Sequence, residues 1–217
     1  MPEKCLPHQL NIAVFASGKG SNFRAILEAI NAGKIPNSRI AVVISNNADS
    51  GALETARTNN LPALHCSRKQ FSSDDEFTTT LLALLRTHGV NFIVLAGYMK
   101  KIEARIIREY RNRILNIHPA LLPAFGGKGM YGLHVHEAVL RSHQTISGAT
   151  VHIVDEDYDH GPIVLQEQVK IRPTDTPETL AQRILEIEHK LYPEAIRLFA
   201  QGKVSVDGRH TAVTIAS

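Results

Sequence analysis

The sequence predicts an α/β fold: an open, mostly parallel twisted sheet with helices on both faces, and a small hairpin at the carboxyl end. Three observations carry that expectation. Apolar runs of strand length recur along the chain, and Ile40-Ala41-Val42-Val43-Ile44 and Phe92-Ile93-Val94-Leu95-Ala96 read as strands buried on both faces. Segments with apolar residues at helical spacing lie between them. The first strand also runs straight into a glycine loop that opens a helix, a Rossmann-like beginning. Strand and helix in alternation imply parallel pairing with both faces covered.

Asn11-Ile12-Ala13-Val14-Phe15-Ala16 is the first strand, followed at once by Ser17-Gly18-Lys19-Gly20-Ser21-Asn22. The next helix places Phe23, Ile26, Leu27 and Ile30 on one face, and Gly33 and Pro36 close it. A glycine loop at a helix N-terminus aims free N–H groups and the helix dipole at an anion, so a phosphate site is one reading and a plain tight turn the other. No Gly-Lys-Ser/Thr follows as a Walker loop requires, and Phe23 stands where a dinucleotide fingerprint needs its third glycine.

The second strand, 40–44, leads through a turn at 45–49 to a helix over 51–59, and 62–65 forms a short third strand. A helix over 74–88 turns Phe77, Leu81, Leu84 and Leu85 inward before the fourth strand, 92–96. In the segment Gly97 to Ile102, Met99 and Ile102 either line an apolar pocket or begin the next helix. Ile114-Leu115-Asn116-Ile117-His118 alternates apolar and polar residues, so Asn116 and His118 share a face, roughly 6–7 Å apart along the strand. Pro119 ends it. An amide and an imidazole thus stand at the carboxyl edge of a buried strand, where open α/β sheets bind ligands.

The glycine-rich stretch from Leu121 to Gly132 is a mobile flap or an ordinary surface connection. His134, His136 and His143 follow on a helical stretch without a metal-binding motif, and no metal is expected. A strand over 149–154 ends in an acidic turn, 155–162. That turn fails as a calcium loop, with His160 at the sixth position and Gln166 at the twelfth. Asp159 precedes the sharp turn Gly161-Pro162 into the short strand 163–165, and there its carboxylate can reach back to the histidine of the central strand. The last helix starts at Thr176-Pro177 with Leu180, Ile184, Ile187 and Leu191 inward, and Pro193 is expected to kink or interrupt it. Val204-Ser205-Val206, a turn at Asp207-Gly208 and a strand from Thr211 to Ile215 complete the hairpin.

With 217 residues the expectation is a single domain over 1–217, one large α/β unit or two intimate lobes. A formal charge of +3 suits small anionic substrates and gives no nucleic-acid stripe. Cys5 and Cys66 show no metal or disulfide pattern, which suits a reducing cytoplasm. The first ten residues lack a cleavable apolar core, and no run reaches the length of a membrane span.

Four segments in order carry a resemblance: Ser17 to Asn22, Leu95-Ala96-Gly97-Tyr98-Met99, Leu115 to Pro123 with Asn-x-His-Pro at its centre, and Asp159-His160-Gly161-Pro162. Together they resemble the folate-dependent formyltransferases, and the glycine loop with Ser21-Asn22 is similar to the phosphoribosylglycinamide formyltransferase branch. The resemblance covers about residues 11–203 and implies a nucleotide-binding half, 10–110, and a folate-binding and catalytic half, 111–203. It implies an enzyme of purine synthesis that uses 10-formyltetrahydrofolate as co-substrate, without a metal, and a monomer or weak homodimer. Gly20, Ser21 and Asn22 would hold the ribonucleotide phosphate and Glu188 its ribose. Met99, Lys100, Lys101 and Ile102 would border the folate, with Asn116 beside it, and Asn116, His118 and Asp159 would be catalytic. Three departures are visible: Lys100-Lys101 replaces a common Arg-apolar pair, Asp74 stands where relatives often carry arginine with Arg68 or Lys69 as substitutes, and the loop Gly126 to Gly132 is longer than in some relatives.

The chemistry suits these residue types on its own terms. An amine attacking a formyl carbon creates an oxyanion, to which an Asn116 N–H and a protonated His118 can donate; one such donor is worth about 3–4 kcal/mol. Asp159 would favour the imidazolium. Proton movement through His118 or a held water adds roughly 10²–10⁴-fold, and no nucleophilic side chain is needed. Two enzyme alternatives share the reaction centre: a formyltetrahydrofolate hydrolase, expected to carry an extra amino-terminal domain, and a methionyl-tRNA formyltransferase, expected to carry a carboxy-terminal RNA-binding domain. A nucleotide-binding module without activity would leave Asn116, His118 and Asp159 unexplained.

Overall fold

The computed structural model describes residues 3–4, 9–208 and 210–214. Its main sheet has seven strands in the order β4-β3-β2-β5-β6-β7-β8: β2 (Leu10–Phe15), β3 (Ser38–Ser45), β4 (Ala63–His65), β5 (Phe92–Leu95), β6 (Ile114–His118), β7 (Ile146–Ile153) and β8 (Ile163–Lys170). The first five are parallel, whereas β7 runs antiparallel to β6 and β8 antiparallel to β7. The expected α/β sheet is therefore present. Strand order departs in both directions from β2, which opens a crevice at its carboxyl end.

Alternation along β2 shows why both faces are covered. Ile12 and Val14 enter one apolar cluster with helix α1 (Ser21–Asn31) and helix α6 (Pro177–Ala200). Ala13 and Phe15 enter the other, with helix α3 (Asp74–Thr87) and helix α4 (Ala104–Glu109). Helices α2 (Gly51–Thr58) and α5 (Leu133–Arg141) join the first cluster.

Some boundaries differ from the sequence expectation. Strands β7 and β8 are both longer than 149–154 and 163–165, because their antiparallel ladder runs from Ile146 opposite Lys170 to His152 opposite Ile163. In α3, Leu82 rather than Leu84 is fully buried. Helix α6 is not interrupted at Pro193 but continues to Ala200. Pro193 removes only the donor to the carbonyl four residues back, and Tyr192 and Ala195 on either side are fully buried against the sheet. The terminal hairpin, β9 (Val204–Asp207) with β10 (His210–Val213), gains a third strand, β1 (Glu3–Lys4), paired with β9. Cys5 and Ile215 lie outside the described residues.

Candidate active site

Strand β6 presents Asn116 and His118 on one face, and both line a cavity of about 780 Å³ at the carboxyl edge of the sheet. Opposite them on β7 stand His152, paired with Asn116, and Thr150, paired with His118. A register shift in the β7–β8 ladder falls at this point, between Val151 and His152. Asp159 comes from the turn after β7, held at φ 54°. Gly161 is required two residues later, since a Cβ there would collide with the Ile153 carbonyl oxygen.

Hydrogen bonds fix the state of these groups. His152 Nδ1 is 2.9 Å from the Ile153 carbonyl, which can only accept, so the proton sits on Nδ1. Nε2 is then free to accept from Asn116 Nδ2 at 3.0 Å, and the same amide reaches Asp159 Oδ1 at 3.4 Å. By the same logic His118 Nε2 donates to the Phe125 carbonyl at 2.8 Å. Its Nδ1 faces Asp159 Oδ2 at 3.5 Å, and that oxygen accepts the Gly127 N–H at 3.0 Å. The beginning of the glycine-rich loop is thus tied into the site.

Burial sets the protonation. His118 is 3% exposed, and desolvation pulls its imidazole below the ordinary value although Asp159 and the Phe125 carbonyl push the other way. The imidazolium expected from sequence is therefore the minor form at neutral pH. Asp159 is raised by desolvation, but His152, His118 and the Gly127 N–H together outweigh it and leave the carboxyl below its usual range. His136, on α5 and lining the same cavity, is pushed by burial down to about 4 and is neutral.

The glycine loop occupies the crevice beside β2. Gly20 caps α1 at φ 72°, and a Cβ on it would lie 2.8 Å from the Ala52 Cβ. No acidic side chain lies in the first turn of α1, so its positive end stays available. Lys19 and Asn22 line the cavity, whereas Gly20 does not and Ser21 faces an adjacent groove with Arg24 and His189. Asn22 Nδ2 donates to Glu188 Oε2 at 2.6 Å, joining α1 to α6. Burial pushes Glu188 up to about 7, with the Asn22 bond acting against it. The buried Oδ1 of Asn22 has no hydrogen-bond partner among the described residues.

Met99, Lys100, Lys101 and Ile102 all line the cavity from the loop between β5 and α4, and the helix begins only at Ala104. Met99 is 52% exposed while Ile102 is buried. Lys101 Nζ lies 5.3 Å from the centre of the Tyr158 ring. Arg68 does not stand free in place of an arginine at 74, because it is paired with Asp74 itself. His134 and His136 lie on α5 and His143 follows it, and among the described residues no group of three or more His, Cys, Asp or Glu side chains is arranged to hold a metal.

Two contributors escaped sequence reasoning. His152 is polar on an otherwise apolar strand, and the alternation of Thr150 and His152 mirrors that of Asn116 and His118; that is the signal a reader could have used. Phe125 acts through its backbone carbonyl, which leaves no trace in residue type.

A family model described as formyl transferase matches residues 10–196. The chain is 45% identical over 199 residues to a chloroplastic phosphoribosylglycinamide formyltransferase of Arabidopsis thaliana, covering 91% of this chain and 68% of that protein. It is 43% identical over 192 residues to the trifunctional purine biosynthetic protein adenosine-3 of Drosophila pseudoobscura pseudoobscura, covering 88% of this chain but only 14% of that protein. The crystal structure of glycinamide ribonucleotide transformylase 1 from Symbiobacterium toebii superposes with a TM-score of 0.89 at 42% identity, covering 96% and 95% of the two chains.

Proposed function

Because the chain belongs to the formyl transferase family, we propose that it moves the formyl group of 10-formyltetrahydrofolate directly to the amine of glycinamide ribonucleotide, a step of purine biosynthesis. Relatives named as formyltransferases of this ribonucleotide support the acceptor. One observation carries the reading: a single cavity is lined by Lys19 and Asn22 of the glycine loop, Glu188, the Met99 to Ile102 segment, and Asn116, His118 and Asp159.

The ribonucleotide phosphate binds at the N-terminus of α1 by the backbone of Gly20, Ser21 and Asn22, and Glu188 accepts from the ribose. Folate lies along Met99, Lys100, Lys101 and Ile102, its formyl group over Asn116. Residues 10–110 serve mainly the nucleotide and 111–203 mainly the folate and the chemistry, although Glu188 and Met99 cross that division. As the amine attacks, Asn116 Nδ2 and the Nε2–H of His118 turn to the developing oxyanion, leaving His152 and the Phe125 carbonyl. The free lone pair of neutral His118 is on Nδ1, beside Asp159, so the amine proton reaches it through a held water, and Asp159 stabilises the imidazolium that forms. The proton passes on to the departing folate nitrogen, directly or through water. The reaction needs no metal, and we place it in the cytoplasm, in a monomer or weak homodimer that sedimentation would identify.

The test mixes the protein with 10-formyltetrahydrofolate with and without glycinamide ribonucleotide and follows deformylated folate. The reading expects deformylation that depends on the ribonucleotide. Equal rates without it would identify a hydrolase instead.

A further inference from the structure

We propose that Ser17 is a positioning residue: its hydroxyl registers the folate-side segment on the phosphate-side loop, so that the two substrates meet in one alignment. This rests on the assignment of those two segments under Proposed function. Ser17 is the last residue before Gly18 and is buried where β2, β3 and β5 end together. Its N–H donates to the Gly97 carbonyl at 3.0 Å, and its carbonyl accepts from Asn47 Nδ2 at 2.6 Å. The hydroxyl oxygen accepts the Met99 N–H at 2.8 Å. Its own proton goes to Asn46 Oδ1 at 2.5 Å.

The direction of each bond defines the parts. A backbone N–H can only donate, so the hydroxyl must turn a lone pair toward Met99, and Asn46 holds it in that orientation by taking its proton. Asn46 is braced in turn by Nδ2 donating to Asn47 Oδ1 at 3.1 Å. The β2–β5 ladder pairs Ile12 with Phe92 through Phe15 with Leu95, and Ala96 still donates to Phe15. Past that point the Ser17 N–H still holds Gly97, and the hydroxyl extends the link two residues further, to the first residue assigned to folate. A displacement of about 1 Å between two reactants costs on the order of 10²-fold in rate, so a bond that fixes their relative position acts on the chemical step as well as on affinity.

The experiment compares wild type, Ser17→Ala, Asn46→Ala and Asn46→Asp in the full chain. Wild-type formyl transfer is measured first, and its absence would overturn the functional reading rather than this one. For Ser17→Ala the proposal expects KM for 10-formyltetrahydrofolate to rise about tenfold and kcat to fall about tenfold. Affinity for the ribonucleotide measured alone should stay within about twofold. Amide hydrogen exchange at Met99 should accelerate while Leu95 and Ala96 stay protected, a readout that does not depend on turnover. Asn46→Ala should shift the same quantities, and Asn46→Asp, which keeps the accepting oxygen, should recover most of the loss. Should Ser17→Ala not fold, the Asn46 pair carries the test. Unchanged Met99 exchange, or folate and ribonucleotide affinities falling together, would overturn the proposal.

Discussion

Asn116 shows how much of this site is decided by single hydrogen atoms. Its Nδ2 donates within the protein both to His152 and to Asp159. The oxyanion role proposed for it therefore requires exchange of partners rather than a free donor. The same holds for His118, whose donor rests on Phe125. Because burial holds His118 below its ordinary value and Asp159 pushes it up, replacing Asp159 by Asn should lower the histidine pKa further. Asp159→Asn and His118→Ala should each cut kcat by about 10² or more, and the double variant should be little worse than the worse single one. Steady-state kinetics and histidine NMR titration check both points; additive losses with an unmoved histidine would place Asp159 outside the catalytic unit.

Glu188 carries the clearest dependence on pH. Its folded pKa is raised, from 4.5 to about 7, so its contribution to stability is present below the unfolded value and is lost as pH rises from there through about 7. At roughly 1.4 kcal/mol per unit, full ionisation costs about 3 kcal/mol. Glu188→Gln keeps the bond from Asn22 and removes that cost. It should therefore match wild type in stability near pH 4 and exceed it above pH 8, as denaturant titrations would show. Ribonucleotide affinity should weaken in the variant and lose its change around neutrality, which isothermal titration across pH would reveal.

At the scale of elements, the glycine loop and α6 each hold one end of the site. Gly20 cannot accept a side chain without meeting Ala52 at positive φ, so Gly20 variants confound binding with folding. Gly18 has open space around its Cβ direction. Gly18→Asp should therefore lower ribonucleotide affinity about tenfold or more by like charge, while stability changes by less than about 0.5 kcal/mol. Binding and melting measured on one sample distinguish the two effects. From α6, the fully buried Tyr192 brings its hydroxyl to 3.1 Å from the Leu95 carbonyl, at the carboxyl end of β5, and 2.9 Å from the Leu115 carbonyl, near the start of β6. Tyr192→Phe should cost about 1–2 kcal/mol, seen as a fall of several degrees in Tm.

What the sequence disclosed follows from the range over which each feature is encoded. β2, the glycine loop and α1 are contiguous, and apolar spacing with two glycines was enough to read them. The β6 pair Asn116 and His118 was legible for the same reason. The reversal of β7 was not, because an apolar run carries no direction, and with it went His152, which meets Asn116 only through that antiparallel register. Pro193 misled because local helix chemistry argues for a break, whereas the packing of Tyr192 and Ala195 is tertiary. The neutral state of His118 depends on burial by segments far away in the chain.

Over the whole molecule, the cavity joins what the sequence order separates. Asn22 and Glu188, which are 166 positions apart, share one hydrogen bond and both line that cavity, so distant parts of the chain build it together. Under the proposed function that cavity brings the two substrates together, with no side chain needed to carry the formyl group between them. Single-turnover kinetics with enzyme in excess over formyl-labelled folate tests that claim most directly. The account predicts that label appears on glycinamide ribonucleotide at the rate it leaves folate, with none on the protein and no loss when the ribonucleotide is omitted. Label on the protein that precedes product, or release as free formate without the ribonucleotide, would contradict it.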